Sequence, residues 1–245
     1  MDNVFEEMHN NHENCRIINN NNIMQVKLRP SEIKNSLKDK LSDEDIEGAY
    51  STINKHNRLM DLKRNLYNGC YDCNCCNKLC RFHSIPCGSI NSKIMIINKM
   101  PTQYEACRMH SMCDKNGAFL SLILQKMNVE RDSVYITDMI KCNAQLDESS
   151  YNECLNHYLK QEIEIVSPKF VICNGISVLK ACIKSEVFTG LPSQVSYGNI
   201  YNADGYNVMA IYDLETVLQK TGDDYSKCKD ELWHQILNAF KDAYK

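Results

Sequence analysis

Apolar residues along this chain recur in two rhythms. Four runs are nearly continuous: "KIMII" (93–97), "SVYIT" (133–137), "KFVIC" (169–173) and "NVMAIY" (207–212). Short runs of this kind, bounded by polar residues, predict strands buried on both faces, as in parallel sheets. Between them the spacing is helical. "GAFLSLILQKM" (117–127) predicts a helix. So does "SYNECLNHYLKQEIEIV" (150–166), which opens with a capping-box pattern from Ser150 to Glu153. A further helix is predicted from about Ile176. The chain closes on an amphipathic helix over "KCKDELWHQILNAFKDAY", through Leu232, Ile236, Leu237 and Phe240. Strand alternating with helix predicts an α/β fold, in three α/β/α layers around a central, mostly parallel four-stranded sheet.

The first third reads differently. Residues 1–25 are Asn-rich ("NNHENCRIINNNNIM") and predict a low-complexity tail. Residues 26–69 predict a helical extension. There, "SDEDIEGAYSTINKHNRLMDLKRNLY" begins with a capping-box pattern from Ser42 to Asp45 and stops at Gly69. Its apolar residues Ile46, Tyr50, Ile53, Met60 and Leu66 fall at mostly helical spacing. The expected organisation is a tail (1–25), an extension (26–69) and one main domain (70–245).

Charge and targeting signals narrow the partners. A formal charge of −3 over 245 residues is not that of a polyanion-binding protein, so any contact with DNA has to be local. No apolar run approaches the ~18 residues that a membrane span requires, and no membrane partner is expected. The acidic start "MDNVFEEMHNN" lacks the basic and apolar regions of a signal peptide, so a cytoplasmic location is expected.

Fourteen cysteines are many for such a chain. In a cytoplasmic α/β protein, clustered cysteines point to metal ligation rather than disulfides. Cys70, Cys73 and Cys76 form two overlapping C-x-x-C units. Cys142 follows the second strand, and Cys154 lies in the next helix. Four thiolates so spaced hold either zinc or an iron–sulfur cluster, and spacing alone leaves both open. Cys173 and Cys182, in apolar surroundings, read as core residues. Cys75, Cys80 and Cys87 read equally well as unpaired thiols.

In open parallel sheets, ligands bind beyond the carboxyl ends of the strands. Asn98, Lys99, Met100 and Pro101 follow the first strand and Asp138 the second. Asn174 and Gly175 follow the third, and Asp213 the fourth. One polar residue at a strand end is ordinary loop composition. A lone Asp directly after each of two buried strands is less readily explained that way.

From about Cys70 onward the chain resembles the family-4, iron–sulfur type of uracil-DNA glycosylase. "VERDSVYITDMIKC" is similar to that family's strand ending in Ile-Thr-Asn and leading to Lys-Cys. "ECLNHYLKQEIEIVSPKFVICNG" resembles its cysteine, Gln-Ile-Glu helix, Pro-Lys strand start and Leu-Gly turn. "NGAFLSLIL" resembles its Ala-Gly-x-Leu-Leu helix start. The resemblance implies a [4Fe-4S] cluster on Cys142, Cys154 and one C-x-x-C, either Cys70/Cys73 or Cys73/Cys76. The cluster would clip the N-terminal segment onto the domain. DNA is the implied partner, as a single strand or with a modified base, in the setting of replication or repair proteins.

The chain departs from the family where the chemistry should be. The family's Gly-Glu-x-Pro-Gly reads Asn98-Lys99-Met100-Pro101-Thr102. The aromatic that stacks on the flipped base corresponds to Met112. The base-reading Asn corresponds to Asp138, and the His-Pro of the second motif to Asp213-Leu214. Loss of one donor to the departing base costs ~10²–10³ in rate. Asp213 is then left to activate water, and Lys99 to supply positive charge or attack the sugar carbon. Plainer roles stand beside these: Lys99 as a surface lysine or phosphate contact, and Asp138 as a turn cap. With Asn98 and Asn174, these residues are the expected base pocket. An ionised Asp accepts only and suits a base carrying an exocyclic amine better than uracil; a buried, protonated Asp regains one donor and mimics Asn. Two functions follow: a glycosylase of altered base choice, or a non-catalytic descendant that binds DNA or serves as a scaffold.

Overall fold

The computed structural model describes residues 42–68, 83–143, 148–203 and 205–245. The chain divides into two units, Met1–Asp61 and Leu62–Lys245. Helix α1 (Asp43–Tyr67) begins where the capping pattern places it. Asp45 N donates to Ser42 Oγ at 3.2 Å, and Ser42 N donates to Asp45 Oδ2 at 3.3 Å. Among the described residues, no helix is long and apolar enough to cross a membrane.

The larger unit alternates strand and helix. In order it contains β1 (Ile94–Asn98), α2 (Gln103–Arg108), α3 (Lys115–Lys126), β2 (Tyr135–Asp138), α4 (Glu148–Cys154), α5 (Lys160–Val166) and β3 (Phe170–Asn174). It continues with α6 (Ile176–Lys184), β4 (Ile200–Ala203), β5 (Tyr206–Ile211), α7 (Leu214–Leu218) and α8 (Gly222–Ala243). A single π-helical turn, Leu155–Leu159, joins α4 to α5 without a break. Helix α4 begins at Glu148, two residues ahead of the expected cap at Ser150.

The sheet has five strands in the order β2-β1-β3-β5-β4. Neighbours among β2, β1, β3 and β5 pair in parallel, as expected. The four-strand expectation falls one short. β4 adds to the β5 edge in antiparallel fashion, from Ile200 opposite Met209 to Ala203 opposite Tyr206. It escaped detection because it is an edge strand with only Ala203 buried, so it has no continuous apolar run.

Alternation along the strands gives the sheet two apolar faces. Ile94, Ile96, Ile136, Phe170, Ile172, Met209 and Ile211 form one core with α3, α7 and α8, through residues such as Leu120, Leu214 and Ile236. The opposite face carries Thr137, which bonds to Glu162 of α5, and packs α6 against β3 and β5. These are the expected three layers, with every parallel strand presenting its carboxyl end along one edge.

Candidate functional site

Strand register brings the polar strand ends into one row. Asn98 lies opposite Asp138 across β1 and β2. Ile97 lies opposite Cys173, which sets Asn174 one step further on the same edge. Asp138 is fully buried, and three donors converge on its carboxylate. Ser84 Oγ and Ser111 Oγ donate to Oδ2 at 2.5 and 2.6 Å, and Asn98 Nδ2 donates to Oδ1 at 3.0 Å. Ser84 reaches this point because its segment runs antiparallel to β2, with Ser84 N bonded to Lys141 O at 2.7 Å and Cys87 N to Ile136 O at 3.0 Å. Ser111 is placed by its own N–H, which donates to Ile85 O at 3.2 Å.

The row continues past Asn98. Asn174 Nδ2 donates to Asn98 Oδ1 at 2.9 Å, and Leu214 N donates to Asn174 Oδ1 at 2.9 Å. A second N–H of Asn98 meets Met100 O at 3.3 Å. Expected contacts to a base, Asn98 and Asn174 are in fact engaged with the protein along this row. Asp213 stands apart from it. As N-cap of α7, its Oδ1 accepts from Thr216 N at 2.8 Å and from Thr216 Oγ1 at 3.0 Å. Its Oδ2 is turned toward Gly175, where a methyl group would meet it at 3.5 Å. Gly175 has φ 99°, a conformation side chains resist, so the turn that ends β3 calls for glycine.

Lys99 is exposed at the same edge, and its carbonyl takes the N–H of Ile140 at 3.0 Å. Met112 is buried in the core. Its backbone is left-handed, and its carbonyl accepts from Arg131 Nη2 at 2.7 Å. His110 sits beside the site with Nδ1 2.9 Å from Ser111 O; burial lowers its pKa.

Two buried acids lie near the row without having been singled out from the sequence. Glu105, in α2, closes a capping box in which its Oε2 accepts from Thr102 N at 2.7 Å and Thr102 Oγ1 at 3.0 Å. Its Oε1 has no hydrogen-bond partner among the described residues. Burial, then the charge of Asp138, push this carboxyl up to about 7, against the hydrogen bonds from Thr102. The T-x-x-E pattern of 102–105 is a legible capping signature; nothing in it announces the burial. Glu162 pairs with Lys141, whose Nζ lies 2.8 Å from Oε1 and also donates to Thr137 Oγ1 at 2.5 Å and Asp138 O at 2.7 Å. Burial raises the Glu162 pKa, and Lys141 opposes the rise. The pair therefore anchors the backbone of the residue at the centre of the row.

Of the expected metal ligands, Cys70, Cys73 and Cys76 lie outside the described residues. Cys142 and Cys154 are both buried. Lys141 N, one residue from Cys142, donates to Cys154 Sγ at 3.4 Å, which brings the two cysteines' segments together. The chain that follows the C-x-x-C region arrives at the same place, because His83 pairs with Cys142. A backbone N–H aimed at sulfur suits a thiolate ligand; among the described residues no group of three or more candidate ligands comes together.

A three-layer domain of this topology, with its polar side chains along the carboxyl edge, defines a class. The chain matches the uracil DNA glycosylase superfamily over residues 85–237 and belongs to it. Among individual proteins it is similar to the type-4 uracil-DNA glycosylase of Thermotoga maritima, with 23% identity over 95 residues, covering 38% of this chain and 50% of that protein. The type-4 uracil-DNA glycosylase of Sulfurisphaera tokodaii is 27% identical over 93 residues, covering 36% and 42%. A DNA polymerase of Bacillus phage SP01 is 26% identical over 138 residues, covering 54% of this chain and 14% of that protein. The chain spans half or less of the length of each of these relatives.

Proposed function

We propose that this chain takes a DNA base into the pocket at the ends of β1, β2 and β3, reads it with Asp138 and favours a base that offers an amine over uracil. The observation that carries this is the hydrogen bonding of Asp138. Two hydroxyls fill Oδ2 and one amide fills part of Oδ1. A carboxylate has about four acceptor positions. Among the described residues one position remains, which can take an N–H of the base, and an ionised Asp138 has no donor for the O4 of uracil. Membership of the superfamily supports DNA as the partner and flipping as the way a base reaches the pocket.

Cleavage of the N-glycosidic bond would place positive charge on the sugar and negative charge on the departing base. Asp213 keeps one carboxylate oxygen clear of its capping bonds and would orient water. Lys99, exposed at the edge, would offset charge on the base or contact phosphate. Cys142 and Cys154, with Cys70/Cys73 or Cys73/Cys76, would hold the [4Fe-4S] cluster, with zinc as the alternative. The cluster would serve the domain, from residue 70 onward, as a structural clip.

The test is a panel of single- and double-stranded oligonucleotides carrying uracil, cytosine or an amino-modified base at one position, assayed for abasic product and for retention. The expected result is selective cleavage or retention of an amino-bearing base, lost in Asp138→Ala. Preference for uracil would overturn the reading. A second reading, a non-catalytic module working beside replication proteins, is favoured by the similarity to a segment of a phage DNA polymerase. It predicts DNA retention without abasic product, unchanged by Asp213→Ala.

A further inference from the structure

We infer that the Leu214 N–H, Asn174 and Asn98 form a positioning relay that fixes the Asp138 carboxylate as an acceptor, tying the rebuilt second motif to the base-reading position. The inference rests on Asp138 as the residue that reads the base. Its warrant is an unbroken run of bonds in one direction: Leu214 N to Asn174 Oδ1 at 2.9 Å, Asn174 Nδ2 to Asn98 Oδ1 at 2.9 Å, and Asn98 Nδ2 to Asp138 Oδ1 at 3.0 Å. The donor at each step fixes which way the next amide faces. Asn98 turns one N–H toward Asp138 and the other toward Met100 O, because its oxygen receives Asn174. Asn174 must turn its oxygen toward α7 because a backbone N–H waits there. Asn174 is 2% exposed and Asp138 and Leu214 are fully buried, which shields both ends of the run from water, with the half-buried Asn98 between them.

The same positions are those at which the chain leaves the motifs it resembles. Asn98 stands for Gly, Asp138 for Asn, Asn174 for Leu and Leu214 for Pro. A proline has no N–H to start the relay, a leucine cannot pass it on, and a glycine has no side chain to deliver it. The carboxylate at 138 by itself removes the donor, and the groups at 98, 174 and 214 supply the connected bonds that hold it in place. Asn98 and Asn174 are accordingly positioning residues.

Leu214→Pro tests the relay at its source. Leu214 is the first residue of α7, the helical position that best tolerates proline, so the substitution removes one N–H with little disturbance of the helix. Leu214→Met keeps the N–H and most of the volume. Two measurements are made on the full chain. The first follows the side-chain amide signals of Asn174 and Asn98 and the carboxyl carbon of Asp138 by NMR. The proline variant should move all three and the methionine variant should leave Asn98 and Asp138 in place. Movement confined to Asn174 would overturn the relay, whatever the protein's activity. The second is the ratio of affinities for oligonucleotides carrying cytosine and uracil, which should fall about tenfold in Leu214→Pro and hold in Leu214→Met. An unchanged ratio beside transmitted spectral shifts would overturn the positioning role. Should the proline variant not fold, Asn174→Leu breaks the same path and is read the same way. Wild-type protein that binds neither base would count against the proposed function, while the NMR comparison would still decide the relay.

Discussion

Replacing Glu105 by Gln should flatten the dependence of stability on pH, by an amount the structure sets. Glu105 is 1% exposed; its Oε2 takes both bonds from Thr102, and its Oε1 takes none from the described residues. Burial, and behind it the Asp138 charge, raise the carboxyl from 4.5 to about 7. An acid raised in the folded state keeps its proton there longer than in the unfolded chain. Its contribution is complete below the unfolded value near 4.5 and is lost as pH climbs through about 7. At about 1.36 kcal/mol per pH unit, the swing comes to roughly 3 kcal/mol. Gln keeps an acceptor for Thr102 and satisfies the capping box without a charge. Urea denaturation of anaerobically handled protein at pH 5, 6, 7 and 8 reads the difference. The wild type should lose roughly 3 kcal/mol more than Glu105→Gln across that range, starting near parity at pH 5. Asp138→Asn should shrink the swing without abolishing it, because burial is the larger cause. Parallel stability curves for wild type and Glu105→Gln would refute the reasoning.

Other expectations are simpler. Gly117→Ala would set a methyl carbon 1.7 Å from Met112 O, so backbone has to move; a loss of about 3 kcal/mol or more is expected in denaturant melts. Lys141→Met leaves Glu162 buried without its cation and should cost about 3–5 kcal/mol, whereas Lys141→Met with Glu162→Leu should recover most of that. Asp213→Ala removes the cap of α7, worth about 1 kcal/mol, while Asp213→Asn keeps it. Should the oligonucleotide panel show turnover, its loss in the Asn variant at unchanged melting would assign the carboxylate to chemistry. Anaerobically purified protein should absorb visible light as iron–sulfur proteins do and lose this in Cys142→Ser or Cys154→Ser; colourless wild type carrying zinc would reverse the cofactor assignment.

The parallel strands were legible because burial on both faces leaves nearly pure apolar runs; Ile94–Asn98 and Phe170–Asn174 fall within a residue of the expected bounds. β4 was not, because half-exposed "IYNA" at a sheet edge has no such run. Asp138 and Asp213 stood out as charges behind buried strands, and the structure separates them: one is buried under three donors, the other caps a short helix. Ser84 and Ser111 could not have been found. Serines in loops are common, and only the fold carries them 54 and 27 residues to the same oxygen. Lys141 was visible as half of a Lys-Cys pair, yet its burial depends on Glu162 of α5, which no local pattern links to it.

The π-helical turn between α4 and α5 sets a rule about length. Lys141 meets this helix twice, through its backbone N–H at Cys154 before the turn and through its side chain at Glu162 after it. The π turn takes one residue more than an α turn for about the same rotation, so it absorbs that residue and keeps Cys154 and Glu162 on the side of the helix that meets Lys141. Removing one residue from 155–159 would leave an α turn with the match to Lys141 kept, whereas removing Lys160 or Gln161 from α5 would swing Glu162 by about 100°. A single-codon deletion within Leu155–Leu159 should therefore be far less damaging than one at Lys160 or Gln161.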